Sequence, residues 1–203
     1  MTEQDKKNAS HNKKMKKQKE AVDAHIAEAQ TERGLLLLLT GDGKGKTSSG
    51  FGMVLRALGY GQKVGVVQFI KGVQLSGEEM FVRDKLPEVE FYQMGTGFTW
   101  DTQDRAADIE AAKRTWLVAE KMLKDDSINL VLLDEMTYML AYKYLDEDMI
   151  LKALTGRPVE QSVIVTGRGG GSALRDLADT VSEVKEIKHA YKAGMKAREG
   201  VDF

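Results

Sequence analysis

The residues of this sequence best suited to chemistry form one glycine-rich stretch, Thr40-Gly41-Asp42-Gly43-Lys44-Gly45-Lys46-Thr47. It directly follows an apolar run, Leu35 to Leu39, and precedes an amphipathic pattern that begins at Lys46. Glycines at such spacing let backbone N–H groups turn towards phosphates without obstruction from side chains. Lys46 can reach the outer phosphates as a point charge, and Thr47 can offer its hydroxyl to Mg²⁺. The stretch therefore predicts a site for ATP or GTP where a strand meets a helix.

The stretch departs from the usual phosphate-binding pattern at two positions. That pattern begins with glycine, and the register set by Gly45-Lys46-Thr47 puts Thr40 in that place. Asp42 is an anion inside an anion-binding loop, so we expect its side chain to point away from the phosphates or to accept a bond from a loop N–H. The alternative is a glycine-rich turn in which Lys and Thr occur together by chance. The predicted nucleotide-binding residues are Gly41, Asp42, Gly43, Lys44, Gly45, Lys46, Thr47, Ser48 and, from a later loop, Arg168.

Strand-like and helix-like runs alternate along the chain beyond residue 34. The predicted strands are 35–40, 63–69, 89–94, 128–133, 161–166 and 180–185, and helical patterns cover 46–58 and 104–123. This alternation predicts an α/β fold with a mainly parallel sheet of about six strands. With the glycine loop, it predicts a P-loop NTPase (RecA-like) three-layer sandwich that carries an N-terminal helical arm. Ligands of such sheets bind at the carboxyl ends of the strands, which is where the glycine loop lies.

Two further groups of polar residues follow predicted strands and fall on the same edge of the sheet. Asp134 and Glu135 come directly after the strand 128–133, where P-loop proteins place an acid that holds Mg²⁺ directly or through water. Thr47, Glu135 and Asp134 are therefore the predicted metal ligands, although spacing does not decide which carboxylate touches the ion, and an acidic pair on the surface is the alternative. Arg168 lies in a glycine-rich turn after the strand 161–166. It is predicted to bind phosphate or carboxylate, unless the turn is only the entry to the next helix.

A third loop on this edge contains two large aromatic residues, Phe98 and Trp100, among glycines and threonines. Burial in the core is the common fate of such side chains. Aromatics in a loop at a ligand-binding edge also suit a large, flat, apolar ligand. The residues alone leave these two interpretations open.

Composition narrows the kinds of site that the chain can carry. The sequence has 203 residues, 42% of them hydrophobic, which is enough for one substantial core. It has no cysteine, which excludes disulfides and thiolate chemistry, and its three scattered histidines disfavour a histidine-built metal site. Any metal is therefore expected to be Mg²⁺, or Mn²⁺, on oxygen ligands. No apolar run approaches the roughly 20 residues of a membrane span and no secretory signal is evident, so a cytoplasmic location without a membrane partner is predicted.

The N-terminal region carries an uneven charge. Seven lysines and only two acids occur among the first nineteen residues, although the formal net charge of the whole chain is −1. We predict a basic, disordered tail over 1–20, a helical arm over 21–33 and a P-loop nucleotide-binding domain over 34–203. The arm has a narrow apolar stripe that needs the core or a second subunit to cover it, formed by Val22, Ile26 and Ala29.

Five motifs occur in order along the chain: TGDGKGKT from Thr40, VGVVQFIKG from Val64, TGFTW from Thr96, VLLDEMTY from Val131 and VIVTGRG from Val163. Together they resemble the ATP:corrinoid adenosyltransferases of the P-loop class, and this resemblance implies that the domain over 34–203 binds a corrinoid as well as a nucleotide. The resemblance runs from about residue 22 to the end of the chain and includes the stretch 188–203. Several separately specific motifs in one order argue against coincidence.

The resemblance implies transfer of the 5′-deoxyadenosyl group of ATP to the cobalt of a reduced corrinoid (cob(I)alamin, cobinamide or cobyrinate a,c-diamide), with release of triphosphate. Cob(I)alamin is itself the nucleophile, so catalysis needs positioning and charge stabilisation rather than a serine, a cysteine or a general base. The resemblance also implies catalytic roles for Lys46, Phe98 and Trp100, with both aromatics on the lower corrinoid face in place of the axial base. Its implied partners are ATP, the reduced corrinoid, a reduced flavoprotein as electron donor and a second copy of the chain in a homodimer, whose N-terminal helical segment helps to close the corrinoid site.

Two other functions would use the same features. A P-loop small-molecule kinase would use the glycine loop and the acidic pair for γ-phosphoryl transfer and would release ADP. A RecA-like module that binds nucleic acid is the second alternative, suggested by the lysine-rich tail. The domain that follows this tail has a net charge near zero, and its sequence shows no stripe of basic residues, which argues against nucleic acid as a partner.

Overall fold

The structure, a computed structural model, describes residues 2–70, 75–95 and 104–203. Contacts within the chain divide it into two units, 1–32 and 33–203.

The first unit contains the helix α1, Glu3–Glu28. Thr2 caps it, because the Asp5 N–H donates to the Thr2 hydroxyl at 3.2 Å and the Thr2 N–H donates to the Asp5 carboxylate at 2.7 Å. Ion pairs one turn apart follow, including Lys7 with Glu3 at 2.9 Å. The structure thus differs from the predicted disordered tail over 1–20 followed by an arm over 21–33. The difference arises because lysine, glutamine, glutamate and alanine are good helix formers, whatever the net charge of the segment that contains them.

The described residues of the second unit form one parallel sheet of six strands, in the order β3-β2-β4-β5-β1-β6. All six strands are at the predicted places, with ends that differ by at most two residues, and the predicted α/β class is confirmed. The strands are β1 Leu36–Thr40, β2 Val64–Gln68, β3 Glu90–Gln93, β4 Leu130–Asp134, β5 Ser162–Thr166 and β6 Thr180–Glu183.

Helices cover both faces of this sheet. Among the described residues no helix is both long enough and apolar enough to cross a bilayer. In the part of the second unit that the structure describes, the helices are α2 Lys46–Gly59, α3 Gly77–Lys85, α4 Arg105–Lys124, α5 Thr137–Ala141, α6 Glu147–Thr155 and α7 Gly171–Leu177, followed by a 3₁₀ turn, Ala190–Ala193.

The central strand β4 shows how the three layers are held together. Its residues are all buried, because alternate side chains enter cores on opposite faces of the sheet. Leu132 packs with Phe51 of α2 in one core, and Leu133 packs with Trp116 of α4 in the other. The continuous apolar run that predicted a strand buried on both faces is explained by these two cores.

The strand order decides which loops meet at the carboxyl edge. β5 is hydrogen-bonded to β1 on one side and to β4 on the other. The turns that follow β1, β4 and β5 therefore emerge next to one another, although long stretches of sequence separate them. This arrangement brings the glycine loop, the acidic pair and Arg168 to one place.

Candidate nucleotide-binding site

The glycine loop after β1 packs closely against the chain that follows β6. Gly41 has a φ of 100°, and a Cβ there would lie 2.4 Å from the carbonyl oxygen of Val184. At Gly43 a Cβ would lie 2.7 Å from the carbonyl carbon of Lys185, and the Gly43 N–H donates to the Val184 oxygen at 2.7 Å. At Gly41 both the positive φ and the close contact disfavour a side chain, whereas at Gly43 only the close contact does.

Lys46 lies at the first turn of α2, under the loop. Its Nζ donates to the carbonyl oxygen of Gly43 at 2.8 Å, and only 7% of the residue is exposed. Burial lowers the pKa of Lys46, an effect that the nearby Glu135 carboxylate opposes and the Arg168 guanidinium reinforces. A partly desolvated ammonium gains more from an arriving anion than a hydrated one does, because its water has already been removed.

One cleft of about 710 Å³ opens above this loop. Two members of the predicted set do not line it: Gly41 packs behind the loop, and Asp134 is fully buried. Asp42 is exposed at its rim. The predicted residues that do line the cleft are Asp42, Gly43, Lys44, Gly45, Lys46, Thr47, Ser48, Glu135 and Arg168.

The two adjacent acids have different surroundings. Asp134 accepts a bond from the Gln68 side-chain amide at 2.9 Å and another, on its second oxygen, from the Thr166 hydroxyl at 2.6 Å. All three residues are fully buried at the carboxyl ends of neighbouring strands. The Thr166 hydroxyl in turn accepts the Glu135 N–H at 2.9 Å. The buried carboxylate therefore organises the strand ends, and the chain turns so that Glu135 lines the cleft.

Glu135 occupies an unusual backbone conformation, with a φ of 58°. Few residues other than glycine adopt this region, and such residues are found more often at functional sites. Across the described residues no three His, Cys, Asp or Glu side chains are grouped closely enough to hold a metal ion by themselves. A site with one carboxylate, the Thr47 hydroxyl and oxygens of a bound polyphosphate fits Mg²⁺, which commonly keeps several non-protein ligands.

Tyr138 is a cleft residue that the sequence reasoning missed. It follows Glu135 by three residues in the short helix α5 and lines the same cleft. Burial raises the pKa of Tyr138, and the nearby Glu135 carboxylate raises it further. Its position one helical turn after an acid at a strand end was the signal that could have identified it.

The C-terminal stretch forms another part of the cleft wall. Lys44 in the glycine loop pairs with Asp202 at 3.0 Å, and His189, Val201 and Phe203 also line the cleft. No local pattern marks these residues, because their role depends on the path of the chain after β6. A second cleft of about 860 Å³ adjoins the first and shares Asp42, Arg168 and His189 with it.

The predicted aromatic residues, Phe98 and Trp100, lie outside the described residues. β3 ends at Gln93 on the same edge as the glycine loop. Their contact with a flat ligand stays a prediction.

Comparison with known proteins places the chain in a family. The family model described as "ATP:corrinoid adenosyltransferase BtuR/CobO/CobP" matches residues 32–203. The corrinoid adenosyltransferase of Pseudomonas aeruginosa is 50% identical over 203 residues, which is 100% of both chains. That of Escherichia coli (strain K12) is 52% identical over 185 residues, 91% of this chain and 93% of the relative.

The chain is also similar to a third curated enzyme and to a solved structure. The corrinoid adenosyltransferase CobA of Salmonella typhimurium is 48% identical over 193 residues, 95% of this chain and 97% of the relative. Among solved structures, the RadB recombinase has a TM-score of 0.42 at 15% identity, covering 78% of this chain and 77% of that one. With a full-length match to relatives of one kind and a family model that spans the whole second unit, this chain belongs to the ATP:corrinoid adenosyltransferase family.

Proposed function

We propose that this protein transfers the 5′-deoxyadenosyl group of ATP to the cobalt of a reduced corrinoid and releases inorganic triphosphate. The observation that carries the proposal is that Lys46, Thr47, Glu135 and Arg168 line one cleft above the glycine loop. It offers cations and backbone donors for a polyphosphate, and family membership supports the corrinoid as acceptor.

The proposed chemistry needs the protein mainly for positioning. The electron pair of Co(I) attacks C5′ of ATP, a cobalt–carbon bond forms, and the C5′–O bond breaks with its electrons on the departing triphosphate. Lys46, Arg168 and the loop N–H groups stabilise the negative charge that grows on that leaving oxygen. Holding the triphosphate in line with the cobalt converts an encounter in solution into a local displacement.

Thr47 and Glu135 are the residues that would hold Mg²⁺ with the nucleotide. When bound, this ion would neutralise part of the charge on the leaving triphosphate. We assign Asp134 to orientation rather than coordination, since both of its oxygens already accept hydrogen bonds inside the protein. Glu135→Gln should therefore weaken metal-dependent nucleotide binding more than it weakens binding of ATP without metal.

The remaining parts of the proposal rest on the family resemblance. Phe98 and Trp100 would occupy the lower corrinoid face in place of the axial base, and a reduced flavoprotein would supply the electron that makes Co(I). Two copies of the chain would form the working enzyme, in the cytoplasm. Cob(I)alamin, cobinamide and cobyrinate a,c-diamide are the corrinoids to compare as substrates.

Product analysis is the test that separates this proposal from a small-molecule kinase. Protein, MgATP and chemically reduced cobalamin are mixed without oxygen, and the light-sensitive cobalt–carbon product is measured together with triphosphate and ADP. We expect one triphosphate for each adenosylated corrinoid. Release of ADP without a cobalt–carbon product would overturn the proposal and favour cleavage at the γ-phosphorus.

The aromatic assignment has its own test. Phe98→Ala and Trp100→Ala should impair adenosylation and the formation of four-coordinate Co(II) corrinoid, while ATP affinity stays within about twofold, since neither side chain belongs to the phosphate-binding set. Electron paramagnetic resonance reports the four-coordinate species, and calorimetry reports ATP affinity. Full activity of both variants with enzymatically reduced corrinoid would show that the assignment is wrong.

A further inference from the structure

The loop that carries Arg168 is rich in glycine. Gly167, Gly169, Gly170 and Gly171 all have positive φ values, between 72° and 138°. Glycine loses more conformational freedom on folding than any other residue, so this loop needs external contacts to hold one shape. Arg168 itself is exposed and lines both clefts.

Two buried threonine hydroxyls supply such contacts from opposite sides. Thr137 Oγ1 donates to the carbonyl oxygen of Arg168 at 2.9 Å, and Thr40 Oγ1 donates to the carbonyl oxygen of Gly169 at 2.8 Å. Both threonines have 0% exposure. Consecutive carbonyl groups of the loop are therefore each held by a side chain that water does not reach.

The strand order explains why the two hydroxyls can act together. Thr40 is the last residue of β1 and Thr137 follows β4, and these strands flank β5, which leads into the loop. The Gly167 N–H also donates to the Leu39 carbonyl at 3.2 Å. A Cβ at Gly167 would lie 2.1 Å from Thr137 Oγ1, so the close approach of Thr137 depends on glycine there.

We propose that Thr40 and Thr137 are positioning residues that fix the Arg168 loop so that the guanidinium faces the polyphosphate of the nucleotide. This inference rests on the proposed role of Arg168 in nucleotide binding. It gives a reason for the threonine at the first position of the glycine loop, where the usual pattern has glycine: a glycine has no hydroxyl to hold the neighbouring loop.

A double-mutant cycle tests the proposal, with MgATP affinity measured by calorimetry and stability measured by urea unfolding. Thr137→Val and Thr40→Val keep the shape of the side chain and remove the donor. We expect each to raise the Kd for MgATP by roughly three- to tenfold, the range that one net hydrogen bond can supply. Thr137→Ser and Thr40→Ser keep the donor and should restore most of the affinity.

The decisive comparison is the same substitution in an Arg168→Ala background. If the threonines act through Arg168, Thr137→Val and Thr40→Val should change the Kd by less than twofold once the guanidinium is gone, even where urea unfolding still registers a loss of stability. An undiminished loss of affinity in that background would overturn the proposal and show that the hydroxyls only support the fold. If Arg168→Ala alone leaves MgATP affinity unchanged, the assigned role of Arg168 fails, and the positioning proposal fails with it. Failure of the proposed function is seen separately, as ADP without a cobalt–carbon product.

Discussion

The substitution Gly43→Ala tests how tightly the glycine loop packs against the chain that follows β6. The added Cβ would lie 2.7 Å from the Lys185 carbonyl carbon, so the backbone must separate by about 0.7 Å to reach the ordinary contact distance of 3.4 Å. Such overpacking costs about 1–3 kcal/mol. The 2.7 Å hydrogen bond from the Gly43 N–H to Val184 would be strained or lost as well, at a cost of about 1 kcal/mol.

We therefore expect Gly43→Ala to lower the free energy of unfolding by roughly 2–4 kcal/mol, a large share of the stability of an ordinary domain. The same displacement disturbs the loop that meets the phosphates, so the Kd for MgATP should rise by roughly tenfold or more. Urea unfolding followed by circular dichroism measures the first quantity, and calorimetry measures the second.

Gly52→Ala is the matched control for this experiment. Gly52 lies inside α2, is exposed, and has nothing within 4 Å of a built Cβ. Alanine there should raise the free energy of unfolding by about 0.5–1 kcal/mol and leave the MgATP affinity unchanged. If Gly43→Ala lowers the free energy of unfolding by less than about 0.5 kcal/mol, the packing argument is refuted, because the steric clash of the added Cβ should cost more than that.

Two further predictions concern charged groups. Lys46→Met should raise the Kd for MgATP by roughly thirtyfold or more, because a charge-assisted contact with the phosphates is lost. The free energy of unfolding should change by less than about 1 kcal/mol, because the substitution also removes the cost of a buried ammonium. Calorimetry measures the affinity and urea unfolding measures the stability, and a large loss of stability alongside the loss of affinity would contradict this prediction. Bonds from Arg33 and from the Leu36 N–H lower the pKa of Asp179 from 3.8 to about 2. The lowered pKa contributes about 1 kcal/mol to the free energy of unfolding after discounting for solvent exposure; the contribution is fully present above pH 4 and is lost as the pH falls towards 2. The difference in stability between the protein and Asp179→Asn should therefore shrink between pH 4 and pH 2. A difference that stays constant over this window would refute the prediction.

The sequence by itself determined the parts of this protein that local pattern encodes. The apolar runs predicted all six strands, and the Gly45-Lys46-Thr47 register correctly marked the start of α2. These features depend on neighbours in sequence, since strand burial and the entry to a helix are set within a few residues. The helix α1 was missed in part because charge was given more weight than helix propensity.

Only the tertiary structure decided which residues meet. The adjacent acids Asp134 and Glu135 look equivalent in sequence, yet one is fully buried against Gln68 and Thr166 while the other lines the cleft. The bond from Thr40 to Gly169 joins positions 129 residues apart, and no local pattern contains it. Such contacts follow from the order of strands in the sheet, which is a property of the packed chain as a whole and brings distant loops to one edge.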